Sequence, residues 1–374
     1  MHIGIDGNEA NIKNRVGVNK YAFEVLWGIY KLLPKNPDLI VTVYLKQKPL
    51  VDLPSSNKQF KYKILSGGKV WILSKLTPYL LFTKEKPDVF FAPSHYLPPI
   101  ITMPGVCAIM DLGYLEFSGQ FTRYDFWQLK YWSAWSIKVS KVVLTISDAT
   151  RKDIVRHYPE SKEKVVVAYP GYDEYLTTKS ISDTAVSTVK KKYSIVNDYI
   201  LYLGTLKPSK NIEGLINAFY KVKNRENLQL VIAGKKGWLY DSIFAEVNKL
   251  GMEKEVVFTD FLPEEDKYPL IKGAKAFILP SFWEGFGIDI LSAFALGVPV
   301  LASNVGSLPE VVGNAGILVD PKDPDAIANG IEKILSMGKT DYNILVEKEK
   351  KQLAKFSWEK VAQIAIETFR KVAK

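Results

Sequence analysis

The segment Pro280-Ser281-Phe282-Trp283-Glu284-Gly285-Phe286-Gly287-Ile288-Asp289 sets one carboxylate and two glycines between an apolar run and a helix-length stretch. Glycines at such a junction let backbone amides approach a ligand, and a helix N-terminus favours anions. The amides of Gly285, Phe286, Gly287 and Ile288 would form such a site. Glu284 beside it would repel phosphate, so it suits sugar hydroxyls or a developing positive charge. A plainer role, stabilising the helix start through the dipole, stays open. A second junction, Gly204-Thr205-Leu206-Lys207-Pro208-Ser209-Lys210-Asn211, brings Lys210 to a helix start, where a cation can hold a diphosphate. It lacks the glycine-lysine pair of a nucleotide-hydrolase phosphate loop. A third, Arg15-Val16-Gly17-Val18-Asn19, offers Gly17 for close approach of an anion or simply for a tight turn.

The elements that must position these loops are legible as apolar runs. Strands are expected at 2–6, 39–45, 88–92, 106–110, 142–146 and 165–168, then at 199–203, 228–233, 255–259, 276–279, 298–302 and 316–319. Most are continuously apolar, as in a parallel sheet covered on both faces. Helical spacing of apolar residues marks 211–224, 241–250, 264–273 and 324–337. Two runs of alternating strand and helix predict two doubly wound α/β domains. The polar stretch between 171 and 197 reads as their connection, with a lysine-rich helix before Tyr193.

Composition narrows the class. The chain has 374 residues, 47% of them hydrophobic, with 50 basic and 40 acidic side chains and a formal charge of +10. That is a globular composition long enough for about two cores. The single cysteine, Cys107, forms no internal disulfide, and the scattered His2, His95 and His157 show no zinc spacing. Asp6 and Glu9 come too early for a signal peptide, and Pro93, Pro98, Pro99 and Pro104 break the longest uncharged stretch. A soluble, cytoplasmic protein is expected. No nucleic-acid module is visible, and the run from Glu347 to Lys351 reads as a solvated helix face.

Glu284-Gly285-Phe286-Gly287, followed by Ala293-Phe294-Ala295-Leu296-Gly297-Val298-Pro299-Val300, resembles the signature of retaining glycosyltransferases of family 4, mannosyltransferases among them. Leu230 to Trp238, Ser303 to Gly313, Thr145-Ile146-Ser147-Asp148 and Phe356-Ser357-Trp358-Glu359-Lys360 are similar to further motifs of that family, so the likeness runs from Ile5 to the C-terminus. It implies a GT-B fold, two Rossmann-like domains facing across a cleft. Residues 1–172 would bind the acceptor, 173–198 would link, 199–355 would bind the nucleotide sugar, and 356–374 would return as a helix to the first domain. The implied reaction moves a hexose, mannose or glucose, from a nucleoside-diphosphate sugar to a saccharide or lipid-linked acceptor in polysaccharide biosynthesis. It needs neither cofactor nor metal. Glu284 would bind the sugar and Asp111 contact it. Gly17, Thr205, Lys210, the amides from Gly285 to Ile288, Asp289 and Ser292 would hold the donor.

Three positions depart from the pattern. Ser292 stands where the family's second glutamate binds ribose, and loss of a charged acceptor costs roughly 1.5–3 kcal/mol. Asp289, three residues earlier, would either compensate or cap the helix. Ser209 replaces an arginine, and Met110 replaces the histidine of the His-Asp pair. These changes keep alternatives in view: a non-catalytic sugar-binding or scaffold protein, or a sugar-nucleotide epimerase of the same fold. Aromatic segments add a peripheral membrane contact to the candidates. In Phe126 to Trp135, the helical spacing of Leu129, Trp132, Trp135 and Val139 favours packing on the sheet. For Val70 to Phe82, core and membrane are equally compatible.

Overall fold

A computed structural model describes residues 1–117, 119, 122–223 and 225–373. The chain forms two compact units, Met1–Gly171 with Ser357–Lys374, and Tyr172–Phe356. Lys374 and Asn224, the ends of two expected helices, lie outside the described residues.

The first unit is built on seven parallel strands: β1 (His2–Asp6), β2 (Ile40–Leu45), β3 (Phe60–Ile64), β4 (Val89–Ala92), β5 (Gly105–Ile109), β6 (Val142–Thr145) and β7 (Val165–Val167). Their order is β3-β2-β1-β4-β5-β6-β7. Every residue of β4, β5 and β6 is buried, which is why these strands read as unbroken apolar runs. Strand β3, Phe60-Lys61-Tyr62-Lys63-Ile64, was not expected from the sequence. It is an edge strand whose lysines face outward, and such charges keep a sheet edge from pairing with other chains. The terminal helix Trp358–Val372 packs on the helix Val18–Leu32 so closely that a Cβ on Gly28 would come within 2.8 Å of Ala362 Cβ. Phe369 meets Phe91 of β4 at 5.2 Å between ring centroids, and Arg370 grips both oxygens of Asp38 at 2.8 Å.

The second unit holds six parallel strands: β8 (Asp198–Leu203), β9 (Leu228–Ala233), β10 (Val256–Phe258), β11 (Ala276–Leu279), β12 (Val300–Ser303) and β13 (Ile317–Val319). Their order, β10-β9-β8-β11-β12-β13, reverses between β8 and β11 as the first sheet reverses between β1 and β4. Residues 173–198, expected as a linker, fall in this unit. Their helix Asp183–Lys192 is polar, yet Lys192 Nζ and the Tyr193 hydroxyl both bond Asp266 Oδ2, at 2.5 and 2.7 Å. Val189 and Ile195 are buried alongside.

Two side-chain placements correct the sequence expectations. In the helix Arg123–Val139, Leu129 and Val139 pack on the core as expected, and Trp132 donates its indole N–H to Leu97 O at 2.8 Å. Trp135, however, is 41% exposed, because the inward face is taken by Ser133, Ser136 and Ile137. The run Glu347 to Lys351 is not uniformly solvated. Leu345, Glu349, Gln352 and Leu353 share one helical face of Lys339–Leu353, and that face turns inward. Glu349 is fully buried, and neither carboxyl oxygen has a hydrogen-bond partner among the described residues.

Burial pushes the Glu349 carboxyl up to about 9. The folded state therefore keeps a proton that the unfolded chain releases near 4.5, and stability declines as pH rises between those values. Thermal melting of the wild type should weaken across this window. Glu349→Gln, neutral throughout, should remove that part of the slope; an unchanged slope would show the carboxyl to be solvated.

Candidate functional site

In an open parallel sheet, ligands bind beyond the carboxyl ends of the strands where the order reverses. In the second unit this is the edge formed by the loops after β8 and β11, with the loop after β12 beside them. After β8 the chain makes a short turn, Pro208–Lys210, and reaches Asn211 in a left-handed conformation with φ 55°. A non-glycine residue holds that conformation only when its surroundings enforce it. Asn211 is buried and donates its amide to Pro280 O at 3.1 Å and Pro321 O at 2.6 Å, tying the loop to the ends of β11 and β13. Phe282 N donates to Ser209 O at 2.9 Å, a second bond between the loops after β8 and β11.

This clamp brings Lys210 against Glu284. Lys210 Nζ lies 2.5 Å from Glu284 Oε1, each side chain 14% exposed, and Ser281 Oγ donates to the same oxygen at 2.8 Å. The glutamate's backbone is held as well. Its carbonyl accepts from Ser307 Oγ at 2.9 Å, and Ser303 Oγ donates to Ser281 O at 2.5 Å. Gly306, with φ 61°, passes so close that a Cβ would stand 3.1 Å from Glu284 O. A carboxylate fixed at one oxygen and a partly buried cation thus sit side by side, able to divide between a polyhydroxyl ligand and an anion.

The other expected donor residues are distributed unevenly around this pair. Gly287 adopts φ 83°, and a Cβ there would meet Leu308 Cδ2 at 2.8 Å, so the loop requires glycine. Gly285 is buried, and the Phe286 ring packs in the core at 5.6 Å from Phe356, so only its backbone could serve a ligand. Ile288 precedes a helix of seven residues, Asp289–Ala295. Asp289 Oδ1 pairs with Lys267 Nζ at 2.5 Å, and Ser292 is buried on the same helix. Thr205 lies where the loops after β8 and β9 run together: Gly237 N donates to Leu206 O at 3.0 Å, and a Cβ on Gly237 would stand 2.9 Å from Thr205 Cγ2. Sequence reasoning missed Tyr202, Asn211, Ser281, Ser307 and Lys267. Tyr202, on β8, buries its hydroxyl close enough to Glu284 and Asp289 that their charges add to burial in raising its pKa. Only Asn211, following a Pro-Ser-Lys turn, carried a local signal.

The first unit holds its own polar group at the corresponding edge. Gly17 caps the helix Val18–Leu32 with φ 51°. Asn19 donates to Glu9, whose carboxyl is raised chiefly by burial. Asp111, after β5, accepts from Gly113 N at 2.8 Å. Met110 is buried, its carbonyl accepting from Thr150 Oγ1 at 3.1 Å. Position 110 holds no histidine, but one that the sequence did not single out lies near Asp111. His95, after β4, bonds its backbone N to Ala108 O at 2.9 Å, and its ring lies within electrostatic reach of Asp111 and 3.4 Å from Ser133 Oγ. Its backbone is strained at φ 23°.

Comparison with known protein families bears on the second unit. Residues 188–352 match the family model of glycosyl transferases group 1. The matched segment lies within the second unit. Across 238 residues the chain is 34% identical to the O-antigen chain mannosyltransferase B of Escherichia coli, covering 63% of this chain and 62% of the relative. It is 33% identical over 234 residues to an uncharacterized glycosyltransferase of Methanocaldococcus jannaschii, covering 61% and 59%. The chain thus spans about three-fifths of the length of these relatives. Anabaena HepE, solved in complex with UDP and glucose, superposes with a TM-score of 0.74 over 99% of this chain and all of that one, at 17% identity. The fold is accordingly GT-B. The matched range contains Thr205, Lys210, Glu284, Asp289 and Ser292, whereas Gly17, His95 and Asp111 lie outside it. Among the described residues, no group of three or more His, Cys, Asp or Glu side chains is placed to hold a metal ion.

Burial lowers the His95 ring below the ordinary 6.5, with the Asp111 charge opposing. The folded protein then resists a proton that the unfolded chain accepts, so this contribution to stability is lost as pH falls below about 6.5. Nitrogen-resolved NMR of the imidazole should show a neutral ring at pH 7 and half-titration below 6.5. In Asp111→Asn the midpoint should fall further; a midpoint that does not move would show that the two groups do not interact.

Proposed function

We propose that the chain is a retaining hexosyltransferase that moves mannose or glucose from a nucleoside-diphosphate sugar to a saccharide or lipid-linked acceptor. The observation that carries this reading is the Lys210–Glu284 pair, fixed by Ser281 and by the Asn211 clamp at the reversal point of the sheet within the matched range. The name of the mannosyltransferase relative and the UDP and glucose held by HepE support the hexose and the nucleoside diphosphate. On arrival of the donor, Lys210 turns from Glu284 to the diphosphate, and the freed carboxylate accepts bonds from the sugar hydroxyls. The anomeric carbon–oxygen bond breaks toward the diphosphate, whose leaving charge Lys210 and nearby amides offset without a metal. The acceptor oxygen adds from the face the diphosphate leaves, and its proton passes to the departing phosphate oxygen. Glu284 supports the positive charge at the sugar in between. Thr205 and the amides from Gly285 to Ile288 line the diphosphate, and Ser292 faces the ribose. The proposal keeps the protein in the cytoplasm.

Calorimetry with GDP and UDP, paired with product detection from their hexose conjugates, tests the division of roles. Lys210→Ala should weaken nucleoside-diphosphate binding by about ten- to a hundredfold, the worth of one charge-assisted bond. Glu284→Gln should bind within a few-fold of wild type yet lose about a hundredfold or more in turnover. Failure of the wild type to bind any nucleoside diphosphate, or full turnover by Glu284→Gln, would overturn the assignment.

A further inference from the structure

The helix Arg123–Val139 is amphipathic in an unusual sense, because its large aromatics face solvent. Tyr124 is 70% exposed, Trp127 56%, Tyr131 52% and Trp135 41%. At 3.6 residues per turn these four and Lys138 fall within about 80° of arc, and Arg123 and Lys130 flank them on one side. Arg123, Lys130 and Lys138 are all exposed. Asp125, the helix's one acidic residue, points to the opposite side, where it accepts from the Thr122 hydroxyl at 2.7 Å. The result is a convex face of two tryptophans, two tyrosines and three cations without a carboxylate. Single exposed aromatics are ordinary on a protein surface, but four in one stripe are not.

The face continues into an apolar recess. Trp135 and Val139 form one side of a cavity of about 460 Å³ whose other lining includes Pro99, Ile100 and Met103, together with Lys141. Ile100 is itself 58% exposed.

We infer that this face docks the protein on an anionic lipid bilayer, tryptophan and tyrosine rings entering the headgroup layer and the lysines and arginine meeting lipid phosphates. Rings with one apolar and one polar end, rimmed by cations, suit that boundary. Each cation near an anionic leaflet adds attraction. The recess accepts apolar acyl segments beside the stripe. Other partners fit the same features less well. A second copy of the chain, paired about a twofold axis, would set three cations against three cations. A single-stranded nucleic acid needs a groove with open ring faces, but this surface is convex, and Trp127 and Tyr131 stack on each other at 4.6 Å and 18°. A saccharide would find no carboxylate acceptor in the stripe.

The inference does not depend on the donor site, so its test is separate. Full-length protein is sedimented with vesicles of phosphatidylcholine alone or with added phosphatidylglycerol. Wild type should partition about tenfold more strongly onto the anionic vesicles, and added salt should weaken it. The exposed triple substitution Trp127→Ser, Tyr131→Ser, Trp135→Ser should lower that binding at least about tenfold, with melting temperature and nucleoside-diphosphate binding unchanged. Lys130→Glu with Lys138→Glu should abolish the preference for anionic lipid while keeping the fold. Wild type that stays in the supernatant with both vesicles would overturn the inference, as would a triple variant that binds like wild type. A wild-type dimer that the triple substitution dissociates, or tight binding of an oligonucleotide in place of vesicles, would reassign the face.

Discussion

Lys210 and Glu284 meet at 2.5 Å while each is 14% exposed, and the second unit's loops are arranged around that contact. Bringing two charges this far out of water is unfavourable unless geometry and additional bonds repay it. Ser281 supplies one such bond to the carboxylate, and Ser307 fixes the glutamate's backbone. On the lysine's side, the strained left-handed Asn211 holds the β8 loop to Pro280 and Pro321. Removing either charged partner would leave the other half-buried and uncompensated, so the pair constrains both loops even before a ligand arrives. Strain at Asn211 and tight packing at Gly306 and Gly287 are what fixing it requires.

Both sheets deliver their chemistry to the same kind of place. Parallel strands force every connection to cross over, so the carboxyl ends of neighbouring strands release their loops at one edge. In the second unit that edge carries the Lys210–Glu284 pair; in the first it carries Glu9, His95 and Asp111. The cores beneath are apolar and close-packed, which keeps those loops from shifting.

Much of this was legible from the chain. Continuous apolar runs announced the buried strands, and Glu284 between two sharp changes of character marked the loop where the Lys210–Glu284 pair forms. What stayed hidden depends on partners distant in sequence. Strand β3 alternates lysine with aromatic residues, and only its place at the sheet edge gives that pattern meaning. Trp135 has the spacing of a core residue, but small serines occupy the inward face of its helix. Glu349 sits in a run of charges and is buried by the rotation of its helix. His95 lies 16 residues from Asp111 in sequence, and the adjacency of β4 and β5 brings them together.

Charge balance gives the serine at position 292 a physical sense. At the second unit's edge two carboxylates each have a lysine: Glu284 with Lys210, and Asp289 with Lys267. The Asp289 carboxylate is therefore engaged before any ribose could reach it, which weakens the idea that it simply replaces a glutamate three residues on. A glutamate at 292 would add a third negative charge at a position only 6% exposed, with both lysines already committed. Desolvating that charge would be costly. Serine leaves the two ion pairs balanced, with no third carboxylate beside them on this helix. The departure at 292 and the ion pair at 289 thus belong to one arrangement, in which, among the described residues, no carboxylate is buried at this edge without a lysine beside it.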